Sequence, residues 1–153
     1  MRITKSKKLT LSHKQDIFKL WNKEYPVNLQ YKQLSELEAY LNQLKDQNHI
    51  LLLDENNKVK GWYSDFIREK ERWFLTILNS EIQGKNYGTQ IIEIAKVDNS
   101  ELNGWVIESN DYFKANGDPY RSPIQFYKKN GFKILENKEL NNDKIKAIQI
   151  QWR

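Results

Sequence analysis

Residues 83–89, Gln83-Gly84-Lys85-Asn86-Tyr87-Gly88-Thr89, join a predicted strand to a predicted helix. The strand covers Arg72 to Leu78, and the helix runs from about Asn86 to Val97. The helix is indicated by apolar residues spaced i, i+4, i+7 and i+8, which are Tyr87, Ile91, Ile94 and Ala95. A short apolar strand, Trp105 to Ile107, follows the helix. Strand, turn, helix and strand together predict a βαβ unit with parallel strands.

The turn itself has the composition of an anion site. Backbone amides at the start of a helix have no intrahelical partner, and the helix dipole adds partial positive charge there. Phosphate oxygens satisfy both. Gly84 and Gly88 remove Cβ atoms that would keep a phosphate from the backbone, and Lys85 adds a charge. The segment is not a Walker A loop, because Asn86 follows Gly84-Lys85. These residues alone leave two interpretations open: a phosphate site, and a strand-to-helix turn that uses Gly for geometry.

The rest of the chain predicts a mixed α/β (α+β) fold. Capping-box patterns predict helices that start at Ser12 and Ser35, and Pro26 ends the first. A further helix is opened by Ser122-Pro123 and ended by Asn130-Gly131. The other predicted strands cover residues 1–5, 49–53, 59–67, 132–136 and 145–152, with a polar turn at 137–143. We expect one domain over residues 1–153, with a central mixed, mostly antiparallel twisted sheet of about six or seven strands and helices on both faces.

Composition removes several classes of function. The chain has 153 residues and no Cys, which excludes disulfides and thiolate metal sites. Its two His residues are far apart, so we expect no metal. No apolar run reaches the length of a membrane span, and no apolar segment follows the basic N-terminus; we therefore expect a cytoplasmic protein with no membrane partner. The net charge is +5, but the Lys residues are dispersed, so nucleic acid is an unlikely partner.

Two motifs resemble those of one enzyme family. Residues 83–89 resemble the Q/R-x-x-G-x-G/A motif of the GNAT superfamily of N-acetyltransferases, whose backbone amides hold the coenzyme A pyrophosphate. Asn86 stands where that family usually has Gly. Residues 122–132 look like the family's N-x-x-A-x-x-(L/F)-Y-x-x-x-G-F segment and match it at Phe126-Tyr127 and Gly131-Phe132, with Pro123 in place of the Ala. The resemblance covers roughly residues 48–153 and implies a GNAT-like (acyl-CoA N-acyltransferase) fold with acetyl-CoA as acyl donor.

The resemblance also implies roles for particular residues. Cofactor contacts are expected from the strand backbone at Ile77, Leu78 and Asn79, which would pair with the pantetheine arm. The pyrophosphate would be held by Gln83, Gly84, Lys85, Asn86, Tyr87, Gly88 and Thr89. Tyr127 is expected near the coenzyme sulfur as general acid, and the alternative is a core tyrosine. A thiol pKa is about 8.5 and that of Tyr about 10, so Tyr is about 1.5 units too weak an acid unless its surroundings tune it.

The general base has a less specific signal. Glu108 follows the strand after the cofactor helix, and ligand chemistry in open α/β sheets lies at the carboxyl ends of strands. It is the expected base, with Glu71, Asp65 and Asp111 as alternatives. The long loop from Asn110 to Arg121 either shapes an acceptor pocket or is an ordinary surface loop.

Three functions remain for this pattern. The first is an N-acetyltransferase that moves the acetyl group of acetyl-CoA to a primary amine of a small molecule or protein. The alternative is a catalytically weak domain of the same fold that binds coenzyme A or a partner protein without turnover. Nucleic-acid binding through the Lys-rich surface is a weaker third. The sequence does not determine the oligomeric state, and a homodimer is one alternative.

Overall fold

A computed structural model describes residues 1–153 and contains seven strands and four α-helices. The strands are β1 (Arg2–Ser6), β2 (Lys45–Leu53), β3 (Val59–Arg68), β4 (Glu71–Leu78), β5 (Leu102–Val106), β6 (Lys133–Asn141) and β7 (Lys146–Trp152). The helices are α1 (Leu11–Glu24), α2 (Leu34–Asn42), α3 (Tyr87–Asp98) and α4 (Ile124–Lys129). Short 3₁₀ turns occupy Val27–Leu29 and Ser80–Ile82.

All seven strands form one sheet in the order β1-β2-β3-β4-β5-β7-β6. Neighbours are antiparallel except β4 and β5, which are parallel and connected through α3. The parallel unit at residues 71–106 and the mixed, mostly antiparallel sheet are therefore confirmed.

The sheet has a hydrophobic core on each face, because side chains alternate along its strands. In β2, Leu51 and Leu53 pack with α1 and α2, whereas Ile50 and Leu52 pack with α3 and α4. The prediction of helices on both faces is confirmed. No helix is long and apolar enough to cross a membrane.

The predicted helix starts were wrong by one or two residues. Thr10, not Ser12, caps α1: its Oγ1 accepts the His13 N–H at 3.1 Å, and the His13 ring accepts the Thr10 N–H in return. Gln33, not Ser35, caps α2 together with Glu36. In α1 a histidine takes the place of the usual Glu or Gln, and in α2 a glutamine takes the place of the usual Ser or Thr.

The C-terminal hairpin and β5 also differ from the prediction. Residues 137–141, expected in a polar turn, belong to β6, which has a register shift between Leu135 and Glu139. β6 is an edge strand with an exposed polar face, and this composition is hard to distinguish from a turn. β5 starts three residues earlier than expected, since Asn103 is buried there and its Oδ1 accepts the side-chain amides of Gln149 and Gln151.

Candidate active site

A cleft of about 940 Å³ opens beside β4, beyond the point where β4 pairs with the parallel strand β5. Parallel strands β4 and β5 pair only at Trp73 and Asn103, near the start of each strand. Beyond this point β4 has no strand partner on that side. The cleft is lined by the end of β4, the turn before α3, α4, the loop before α4 and the end of α1.

The free edge of β4 presents backbone groups to the cleft. The Asn79 N–H donates to Lys60 O of β3 at 2.8 Å, and successive residues of a strand point their backbone groups to opposite sides. Leu78 and Thr76 therefore direct theirs away from β3, toward the cleft. The Leu78 carbonyl accepts the Gln83 side-chain amide at 3.0 Å. The Leu78 N–H points to the same side of the strand, where it has no strand partner.

The turn before α3 has the backbone shape of an anion site. Gly84 has φ +78° and Asn86 has φ +71°, both in the left-handed region. Asn is the non-Gly residue that adopts this region most readily, so Asn86 takes the conformation available to Gly. The first hydrogen bond of α3 runs from Gln90 N–H to Asn86 O, and no side chain caps the helix. The amides of residues 87–89 are consequently unpaired, with no acidic residue in the first turn.

Close packing seats the start of α3 against β4 and α4. A Cβ built on Gly88 would lie 3.0 Å from Phe126 Cζ and 3.2 Å from Leu78 Cδ1. Gly84 is different, because a Cβ there would meet nothing within 4 Å. Gly88 is thus required by packing and Gly84 by backbone conformation.

Tyr127 on α4 lines the cleft in an aromatic setting. Its side chain is 6% exposed, and its ring packs edge-on against Phe74, Phe126 and Phe132. Burial, reinforced by the nearby Tyr120 hydroxyl, raises the pKa of Tyr127 well above its usual value. The hydroxyl is therefore protonated at physiological pH. The tuning expected of an acid matched to a thiol would have lowered this pKa, and the structure shows the opposite direction.

The other end of the cleft contains side chains that sequence reasoning missed. Glu24, the last residue of α1, is only 5% exposed, and its Oε2 accepts the Ser80 N–H at 2.8 Å. Its Oε1 accepts Lys114 Nζ at 3.0 Å. Tyr25 and Tyr120 line the same region, and burial raises the pKa of both, that of Tyr120 to about 12. Glu24 had one signal in the sequence: it continues the apolar stripe Ile17-Leu20-Trp21 of α1.

Three solved structures that superimpose on this chain are acetyltransferases. An aminoglycoside 6'-acetyltransferase type Ii superimposes with a TM-score of 0.70 at 16% identity, over 99% of this chain and 96% of the other. A phosphinothricin acetyltransferase from Sinorhizobium meliloti, solved in complex with AcCoA, gives 0.67 at 12% identity over 99% and 88%. Spermidine/spermine N-acetyltransferase SpeG from Vibrio cholerae gives 0.63 at 17% identity over 98% and 91%. This chain has the GNAT fold. No family model and no curated protein matches its sequence.

Within this GNAT fold, most of the predicted cofactor residues come together. The cleft is lined by Ile77, Leu78, Gln83, Gly84, Asn86, Gly88, Thr89 and Tyr127. Three others do not line it: Lys85 is exposed, Tyr87 is partly buried, and the Asn79 side chain accepts the Glu81 N–H inside the 3₁₀ turn.

The carboxylates predicted as bases are not in the cleft lining. Glu108 is exposed beyond the end of β5, and Asp111 is exposed in the following loop. Asp65 is buried elsewhere, bound to the Tyr63 hydroxyl and the Arg72 guanidinium. Glu71 lies at the opposite end of β4 from the cleft.

Proposed function

We propose that this protein is an N-acetyltransferase that transfers the acetyl group of acetyl-CoA to a primary amine of a small molecule or protein. One observation carries the proposal: the unpaired edge of β4, the uncapped start of α3 and Tyr127 line a single cleft. Each of these suits a different part of an acyl-CoA.

The donor half of the proposal depends on backbone groups. The pyrophosphate would accept the free amides at residues 87–89, where the helix dipole also favours negative charge. The amide-bearing pantetheine arm would continue along the free edge of β4, as an added strand does. Asn86 supports this placement because its left-handed backbone keeps the turn open.

The reaction needs a hydrogen-bond donor for each developing charge. The neutral amine attacks the thioester carbonyl carbon, a C–N bond forms, the C–S bond breaks and the electron pair leaves on sulfur. The Leu78 N–H, which points away from β3, would donate to the carbonyl oxygen as it becomes negative, an effect of about 2.7–4 kcal/mol in acyl transfer. Tyr127 donates to the departing sulfur. Its raised pKa keeps the proton available at every physiological pH, although it weakens the group as an acid.

The attacking amine must also lose a proton. Glu108 stays our prediction for the base, although its exposed position would require a water chain to the cleft. Replacement of Glu108 by Gln tests it. A base predicts a lower kcat at neutral pH that recovers as the pH approaches the amine pKa of about 10.4, and an uninvolved surface carboxylate predicts no change.

Calorimetry with acetyl-CoA followed by a thiol-release assay with an amine panel tests the proposal. We expect saturable binding, and thiol release that requires an amine. Gln90, an exposed residue of α3, offers a control for substitutions in this helix. Gln90→Ala should change neither acetyl-CoA binding nor thiol release. Binding without amine-dependent turnover would favour the alternative, a domain that binds coenzyme A or a partner protein without catalysis. Absence of binding would exclude the acetyl-CoA proposal.

A further inference from the structure

Glu24 is a buried carboxylate with an unusual position in the wall of the cleft. Its side chain is 4% exposed, and a carboxylate so far removed from water requires charge compensation. One oxygen accepts a hydrogen bond from the backbone N–H of Ser80, the second residue after the end of β4. The other faces Lys114, at 3.0 Å. The half-exposed Lys23 Nζ also lies 3.8 Å from Oε2, so Glu24 combines a fixed backbone contact with a close contact to Lys114 and a longer one to Lys23.

Lys114 reaches Glu24 from a different part of the chain. It belongs to a small hairpin closed by the backbone bridge between Phe113 and Pro119. Its own N–H donates to Asp118 O at 2.8 Å, so the hairpin holds the Lys114 backbone independently of the contact that the side chain makes with Glu24. The lysine side chain is 18% exposed and lines the cleft. A primary ammonium group thus lies against the Glu24 carboxylate at this end of the cleft.

We propose that Glu24 binds the ammonium group of the acceptor and that Lys114 holds this place until the acceptor displaces it. This inference rests on the proposed acetyltransferase function. The exchange replaces one ammonium by another, so the buried carboxylate keeps an ammonium partner while the acceptor binds; to leave it without one would cost far more than the loss of a surface ion pair. Lys114 then competes directly with the acceptor.

The surroundings of Glu24 define a class of acceptor. The rings of Tyr25 and Tyr120 line this end of the cleft and suit an apolar or aromatic stem. The charged residues at this end are two acidic and two basic: Glu24, Asp118, Lys114 and Arg121. They leave no excess negative charge for further ammonium groups. The favoured acceptor is therefore a primary amine with one positive charge on an apolar stem, such as phenethylamine, and polyamines are disfavoured.

Two substitutions test the exchange with acceptor kinetics at saturating acetyl-CoA. Glu24→Gln keeps an oxygen for the Ser80 N–H but removes the charge, and we expect KM for phenethylamine to rise about ten- to hundredfold. Lys114→Met removes the competitor, and we expect KM to fall several-fold. Lys138→Met, an exposed lysine on β6 with the same charge change, is the control and should leave KM unaltered.

The opposing hypothesis is that Glu24 and Lys114 only fasten α1 to the hairpin. It predicts a wild-type KM for Glu24→Gln, and an unchanged or higher KM for Lys114→Met; either result overturns the inference. If Glu24→Gln does not fold, Lys114→Met decides alone. A higher kcat/KM for spermidine than for phenethylamine would overturn the acceptor class. Titration of each variant with acetyl-CoA separates these failures from loss of the proposed function, because donor affinity should stay at the wild-type value.

Discussion

Replacement of Gly88 by Ala probes the packing that positions the cofactor turn. The added Cβ would lie 3.0 Å from Phe126 Cζ, 3.1 Å from its Cε1 and 3.2 Å from Leu78 Cδ1. Carbon atoms in contact prefer separations of about 3.5–4.0 Å, so each contact overlaps by roughly half an ångström. Either these side chains give way by a few tenths of an ångström, or the start of α3 moves away from β4 and α4.

The energetic effect can be bounded from these contacts. Overpacking of this size costs about 1–3 kcal/mol. Ala is a better helix former than Gly by at most about 1 kcal/mol, which offsets part of the cost. We therefore expect a net destabilisation of up to about 2 kcal/mol. The same displacement moves the free amides at residues 87–89, and we expect acetyl-CoA affinity to fall about tenfold or more, equivalent to about 1.4 kcal/mol.

Urea unfolding and acetyl-CoA calorimetry measure the two effects. A second substitution identifies their cause, since Phe126→Leu removes the ring atoms that meet the new Cβ. The double variant Gly88→Ala/Phe126→Leu should be more stable than the sum of the single effects by about 0.5–3 kcal/mol. If Gly88→Ala is as stable as wild type and binds acetyl-CoA with equal affinity, the packing of α3 against Phe126 and Leu78 does not position the site.

Three other predictions concern the acid, the turn and a buried histidine. Tyr127→Phe should lower kcat about a hundredfold without changing the Kd of acetyl-CoA, and equal loss of kcat and affinity would contradict this. Because burial raises the pKa of Tyr127, the wild-type kcat should not fall with rising pH up to about pH 10. Asn86→Gly should change acetyl-CoA affinity by less than about threefold in calorimetry, since Asn86 already has φ +71°; a large gain would mean that Asn strains the turn. Burial lowers the pKa of His49 to about 4. The free energy of unfolding should therefore fall by up to about 3 kcal/mol as the pH falls from about 6.5 to 4. In His49→Gln, the free energy of unfolding measured in urea should not show this pH dependence.

The direction of the His49 effect follows from its protonation states. Between about pH 4 and 6.5 the unfolded chain binds a proton that the folded protein excludes, so stability rises with pH across this window and is complete above it. His49 is neutral in the fold, where its Nδ1 accepts the Trp62 indole N–H at 3.1 Å. Gln can accept the same hydrogen bond without titrating. A pH slope that persists unchanged in His49→Gln would assign it to another group.

Local patterns were sufficient to predict the βαβ unit and its turn. The helical spacing of Ile91, Ile94 and Ala95 and the two glycines act within a few residues of one another, so periodicity and backbone geometry reveal them. Asn86, the residue that departs from the family motif, has a left-handed backbone angle, which Asn adopts more readily than other non-Gly residues. Strand order depends on long-range pairing and was not predicted from the sequence. The resemblance to the GNAT family implied only that the end of β4 would pair with the pantetheine arm.

The acceptor end of the cleft was beyond sequence reasoning for a physical reason. Glu24 and Lys114 are 90 positions apart, and only the fold brings their charges to 3.0 Å. A glutamate in an apolar stripe indicates a buried carboxylate but does not identify its partner. Glu108 was chosen because it follows a strand, yet its side chain is exposed, since the terminus of a strand does not determine which way the next residues turn.

A crystal structure with acetyl-CoA bound tests the central proposal most directly. We predict pyrophosphate oxygens within hydrogen-bond distance of the amides at residues 87–89, the pantetheine arm along the free edge of β4 and the thioester sulfur beside the Tyr127 hydroxyl. Acetyl-CoA bound outside the cleft between β4 and β5, or with its sulfur remote from Tyr127, would contradict the proposed function.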